Sequence, residues 1–201
     1  MGNNIEPIRS KEWDKLKASR VMRQKLTSSS FYWFFHFYME SYIEYATAPF
    51  QKEMMDKVSN PAITQLAVMA FRGSGKSSIL TTAYPIWSIV GEQQKKFIVI
   101  VSLNQSLANA HLKNIAKLLD ESALLKKDFW PYDFKVNEAN QSVIRFPKFG
   151  AQIIAVGRDQ GMRGMRHGAK RPNVIIADDT EDTSNTKYQP SRDANFKWYT
   201  S

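Results

Sequence analysis

The 201-residue chain contains no cysteine, which excludes a disulfide framework and any thiolate-held metal site. It also lacks long apolar runs. Its most aromatic stretch, residues 31–45 (FYWFFHFYMESYIEY), carries His36, Glu40 and Glu44 and is too short to cross a bilayer. Its expected role is an aromatic helix face buried against the core, with His36 an ordinary helix residue; base stacking is the other use such rings allow. The opening MGNNIEPIRSKEW has neither the apolar centre of a signal peptide nor a myristoylation pattern. Acidic residues are in deficit, 19 against 28 Lys and Arg, leaving a net charge of +9. That excess suits a polyanionic partner, nucleic acid first and an anionic membrane second.

What is present centres on residues 66–78, LAVMAFRGSGKSS. An apolar run, read as a strand, leads into a Gly-rich turn and then a helical pattern, the order a phosphate-binding loop requires. Gly73 and Gly75 let the backbone curl so that N–H groups, Ser74 and Ser78 among them, face an anion. The following helix adds the positive end of its dipole. Lys76 would reach the β- and γ-phosphates of ATP, and the Ser77 hydroxyl would ligate Mg²⁺. Ala70 stands where the motif G-x-x-x-x-G-K-[ST] has its first glycine. It is the smallest replacement available.

Upstream, residues 8–26 show apolar residues at helical spacing (Trp13, Leu16, Val21, Leu26) in a charged background, read as a solvent-facing helix, with a partner-binding arm as the alternative. Residues 1–46 form a helical N-terminal arm in this reading, and 47–201 a P-loop ATPase domain. Pro49 opens a helix, and Gln51 sits where a side-chain amide could read the adenine edge. Downstream, 77–90 reads as a helix kinked or ended near Pro85. Residues 97–102, FIVIVS, suit a buried parallel strand, and a helix follows over 104–119 with Asn104 as N-cap. Residues 122–141 show no period and read as loop. Residues 142–146 and 151–156 read as a hairpin turning around 148–150. Alternating strands and helices argue for an α/β fold with a mainly parallel sheet covered on both faces.

Two further stretches carry charge. Between 145 and 171 stand Arg145, Lys148, Arg158, Arg163, Arg166, Lys170 and Arg171 against the single acid Asp159, with glycines at 157, 161, 164 and 168. Such a loop can contact DNA phosphates, aim an arginine at a γ-phosphate, or simply lie solvated. Directly after it, 173–182 (NVIIADDTED) runs from an apolar strand into four carboxylates. Their mutual repulsion calls for a cation, and Mg²⁺ held with a nucleotide would supply it. Asp178 is the expected metal ligand through water. Asp179 or Glu181 would polarise the attacking water, and spacing does not choose between them.

AFRGSGKS, RGMRHGAKRP and IIADDTED, in that order, resemble the large terminase subunits of tailed bacteriophages, in the branch of the short-tailed T7-like phages. The resemblance covers Pro49 to the end. It implies a P-loop ATPase of the additional-strand type that drives double-stranded DNA into a procapsid through the portal protein. It also implies a working homo-oligomeric ring in the host cytoplasm and a small terminase subunit as partner. Arg72 would sense phosphate, and Arg163 or Arg166 would act in trans on a neighbouring subunit's nucleotide. A ribonuclease-H-type nuclease follows the ATPase in that family. Neither its acids nor a Ser/Thr-rich coupling segment can be identified here, so the expectation is an ATPase part, incomplete at its C-terminus and without the nuclease. A helicase-like DNA-dependent ATPase and a non-catalytic DNA- or capsid-binding fragment are the alternative readings.

Overall fold

A computed structural model describes residues 11–129, 133–136, 142–160, 169, 171–181 and 187–200. Its centre is β1 (Phe97–Ser102), whose six residues are all buried. On one side β1 pairs in parallel with β4 (Ala151–Gly157), and on the other in parallel with β5 (Val174–Ala177). Beyond β4 lie β3 (Ser142–Phe146) and β2 (Asp133–Val136), both antiparallel to their neighbours, so the five strands run β2-β3-β4-β1-β5. The sheet is therefore mixed: parallel around β1 and antiparallel where the hairpin joins it. Between β3 and β4 a short 3₁₀ turn, Pro147–Phe149, ends at Gly150 in the left-handed region, φ 56°, which lets two adjacent strands reverse without a crossover.

Both sheet faces carry buried side chains. Ile98, Ile100, Ile144, Ile153 and Ala155 point into the main core, which contains α3 (Phe31–Tyr38), α5 (Tyr84–Val90) and α6 (Gln105–Glu121). Phe97, Val99, Val101 and Val156 form a smaller cluster on the opposite face. Alternation along β1 sends odd and even residues to different faces, as a pleated strand demands. α6 begins as expected: the Asn104 side chain accepts from the Leu107 N–H at 3.0 Å, satisfying one orphan donor of the first turn.

Four expectations change. Residues 66–70 are not a strand; Met69 is 99% exposed and Leu66 41%. An extended segment becomes a strand only when a neighbour accepts its hydrogen bonds, and none does so among the described residues. The run instead lies beside α4 (Pro49–Ser59), lining a cavity of about 440 Å³ with Phe50, Glu53, Met54 and Lys57. β5 is likewise less buried than its apolar sequence implies, with Ile175 53% exposed, because among the described residues it pairs with β1 on one side only.

Residues 122–141 are not all loop: α7 (Ala123–Phe129) and β2 fall within them. Tertiary contacts supply the order that periodicity lacked. Leu125 and Phe129 are buried in the main core, and β2 is held by its ladder to β3. The N-terminal segment, finally, is two helices, α1 (Lys11–Ala18) and α2 (Arg20–Ser29), rather than one solvated rod. Ser19 breaks and caps the second, and Trp13 stacks on Phe37 at 4.2 Å.

α2 is fastened by charge as well as by apolar packing. Arg23, fully buried, donates from Nε and Nη2 to the two Asp128 oxygens at 2.9 and 2.7 Å, and from Nη1 to the Lys17 carbonyl. Tyr38 donates its hydroxyl to Asp128 Oδ2 at 2.8 Å. Arg20 and Gln24 donate to the Asp128 carbonyl. The hydrogen bond to Asp128 raises the Arg23 pKa further above its ordinary value, and burial pushes the Tyr38 phenol up. The aromatic helix α3 is buried as expected, at Phe31, Phe34, Phe35, Phe37 and Tyr38. His36 is not idle: its Nδ1 bonds the Tyr32 carbonyl at 2.8 Å and its Nε2 bonds Thr47 Oγ1 at 3.0 Å.

Candidate functional site: the glycine loop and the acidic strand end

The loop keeps the backbone its sequence demands. Gly73 and Gly75 have φ of 84° and 82°, a region closed to most side chains. A Cβ on Gly75 would also lie 3.1 Å from Gln51 Nε2. That contact reflects how Gln51 is held. Its Oε1 accepts from the Ala48 N–H at 3.0 Å, and its Nε2 donates to the Ser74 carbonyl at 3.0 Å. Gln51 thus ties the start of α4 to the glycine loop. Ser74 is buried, whereas Arg72 is exposed and has no hydrogen-bond partner among the described residues. Lys76 bends back over the loop and donates from Nζ to the Ala70 carbonyl at 3.1 Å.

The helix after the loop changes its winding. Residues Ser77–Ala83 form a π-helix, closed by the Tyr84 N–H on the Ile79 carbonyl, and α5 continues from there. Pro85 explains the location. It has no N–H to give the Thr81 carbonyl, so the expected kink is realised as a wider turn just before it. Thr81 and Thr82 are buried in this stretch.

The acidic strand end meets this helix. Thr81 Oγ1 donates to Asp178 Oδ2 at 2.7 Å, and His111 Nε2, on α6, lies 3.9 Å from the same oxygen. Asp178 N–H continues the β1–β5 ladder by donating to the Val101 carbonyl at 2.9 Å. Asp179 then turns the chain with φ 48°. Aspartate is one of the few residues other than glycine that enter that region at modest cost. The Asp179 carbonyl accepts from Leu103 N–H at 3.1 Å, and the Thr180 carbonyl accepts from Arg158 Nη1 at 3.1 Å. Asp179 and Glu181 are exposed, while Asp178 is partly buried. Ser102 Oγ, at the carboxyl end of the central strand, is buried without a hydrogen-bond partner among the described residues.

Of the residues singled out from sequence, Gln51, Gly73, Ser74, Gly75 and Lys76 are therefore drawn together by the bonds around the loop, and Ser77 and Ser78 open the helix behind it. Asp178 is joined to that same helix. Arg163, Arg166 and Asp182 lie outside the described residues. Thr81 and His111 are the additions: a threonine inside a helix and a lone histidine on another give no motif, and only their shared partner marks them.

The donor set suits a magnesium nucleotide. Among the described residues no three His, Asp or Glu side chains converge. Mg²⁺ characteristically takes one or two carboxylates and completes its shell with phosphates and water. Asp178 offers an oxygen, Oδ1, without a hydrogen-bond partner among the described residues.

The described residues include no helix long and apolar enough to cross a membrane. The model of the family described as "Phage terminase large subunit gpA, ATPase domain" matches residues 39–192. A terminase large subunit of Enterobacteria phage T3 is 32% identical over 152 residues, which is 71% of this chain and 23% of that relative. The chain thus spans about a quarter of that relative's length. The matched region takes in the glycine loop, the basic stretch and the acidic strand end, the three motifs on which the resemblance rested. On these grounds the chain belongs to the phage terminase large subunits, in the region of their ATPase domain.

Proposed function

We propose that this chain is the ATPase part of a viral terminase large subunit and hydrolyses ATP to move double-stranded DNA into a procapsid. The observation that carries this reading is the Thr81–Asp178 hydrogen bond, because it seats the acidic strand end against the helix of the glycine loop. Triphosphate and metal would then share one cleft.

In this reading Lys76 leaves the Ala70 carbonyl and turns to the β- and γ-phosphates, and loop N–H groups hold the remaining oxygens. Mg²⁺, bound through Ser77 and, by way of water, Asp178, would neutralise charge developing on the transferred phosphoryl group. Asp179 or Glu181 positions the attacking water. Gln51 would face the adenine and at the same time hold the loop. Arg72 would sense the γ-phosphate, and Arg163 or Arg166 of one subunit would complete a neighbour's site in a ring.

The sheet would be of the additional-strand type. The exposed edge of β5 and the unpaired run 66–69 are where further strands belong. Portal protein and small terminase subunit would be the partners, in the host cytoplasm. The positive charge of the chain would grip the DNA.

Turnover of ATP measured with and without duplex DNA tests the proposal. Mg²⁺-dependent hydrolysis stimulated by duplex DNA is expected, with DNA affinity falling steeply as salt rises. Stimulation by single strands together with strand separation would point to a helicase-like ATPase. Nucleotide or DNA binding with no hydrolysis would leave a non-catalytic binding fragment.

A further inference from the structure

We infer that Thr81 is a positioning residue for Asp178: its hydroxyl holds Oδ2 so that Oδ1 is the oxygen presented to the metal–nucleotide. The inference rests on the ATPase reading and adds a residue that the loop motif does not contain. Thr81 is 1% exposed, so its hydroxyl cannot turn to bulk water and must find a partner inside. Its partner is the Asp178 carboxylate, 97 residues away in sequence, at 2.7 Å. A hydrogen bond to an ionised oxygen is short and strong, and it restricts rotation of the acceptor. His111 Nε2 stands 3.9 Å from the same Oδ2, so among the described residues both neighbours crowd one oxygen and leave the other without a partner.

Ser77 opens the helix behind the loop, and Thr81 lies on the wide turn that follows it. The helix that carries the expected metal-ligating hydroxyl thus also carries the hydroxyl that orients the expected carboxylate. One rigid element sets both sides of the metal position. A ligand held this way binds metal without first losing side-chain rotation, which is how an outer hydrogen bond raises metal affinity.

The test compares Thr81→Val with Thr81→Ser in the full chain. Binding of a fluorescent ATP analogue is titrated with Mg²⁺ and, separately, in EDTA, and thermal melting checks folding. Thr81→Val should raise the Mg²⁺ concentration for half-maximal nucleotide binding about tenfold, the scale of a lost outer-shell bond, while leaving affinity in EDTA within about twofold. Thr81→Ser should restore the Mg²⁺ dependence. A Thr81→Val protein that is folded and has the wild-type Mg²⁺ dependence would overturn the inference while leaving the ATPase reading intact. Equal impairment in valine and serine variants would also overturn it, because that outcome indicates packing rather than the hydroxyl. A wild-type chain that binds no magnesium nucleotide would overturn both.

Discussion

Two charged regions of this molecule differ in how completely their polar groups are satisfied. Around Asp128 every valence is used: Arg23 spans both carboxylate oxygens, Tyr38 adds a hydroxyl, and Arg20 and Gln24 take the backbone carbonyl. Around Asp178 one oxygen has Thr81 and the approach of His111, and the other has none among the described residues. Burial separates them as well, since the Asp128 side chain is fully buried and that of Asp178 is 12% exposed. A closed network fixes one arrangement of helices. An open one leaves room for an incoming cation. Sequence marks Asp178 through the apolar strand before it and gives no sign of Asp128, although each meets its donor across about a hundred residues of chain.

The largest effect should come from breaking the closed network. Asp128→Ala leaves the Arg23 guanidinium buried without its counter-ion and should cost about 3–5 kcal/mol of stability, read by urea denaturation. Loss below about 1 kcal/mol would mean that the pair behaves like a surface salt bridge. Opposite behaviour is expected at the loop. Lys76→Ala should lower ATP turnover by about a hundredfold or more with an unchanged melting temperature, because among the described residues its side chain donates a single hydrogen bond, to the Ala70 carbonyl. Normal turnover in that variant would remove the loop from the chemistry.

Gly75→Ala sits between the two regions in kind. It forces a Cβ into a left-handed φ and to within 3.1 Å of the Gln51 amide. A stability loss of about 1–2 kcal/mol is expected, together with weakened nucleotide binding; Gly73→Ala should show the first effect without the contact, since nothing lies within 4 Å.

The smallest effect concerns His36. Burial is the main cause holding its pKa below the ordinary imidazole value, opposed by the Tyr32 carbonyl bond and assisted by Lys52. A depressed folded value means that the unfolded chain takes up the proton first. The contribution of His36 is therefore fully present above about pH 6.5 and is lost as pH falls through the folded value. Melting temperatures of wild type and His36→Gln measured from pH 7.5 to 5 should converge by a few degrees. Parallel curves would show that the folded and unfolded chains protonate the ring alike, with no burial effect on it.

Much of the site was legible because its signals are local. A glycine at φ above zero, a lysine after it and acids following an apolar strand each constrain neighbours within a few residues. The core strand 97–102 and the cap at Asn104 were legible for the same reason. The run 66–69 was misread because apolar composition reports a wish for burial, not a partner, and strand formation needs the partner. α7 was missed because the helix is only seven residues long, too short for its period to register, and its order comes from burial of Leu125 and Phe129.

By itself, the amino-acid order determined the glycine loop, the aromatic helix, the central strand and the acidic turn, since each depends on steric and hydrogen-bonding rules that act over one or two turns of chain. Tertiary structure alone decided that Thr81 meets Asp178 and that Arg23 meets Asp128. These partners stand 97 and 105 residues apart. No local rule couples residues at that separation; only the packing of helices onto the sheet brings such groups within the 3 Å over which a hydrogen bond acts.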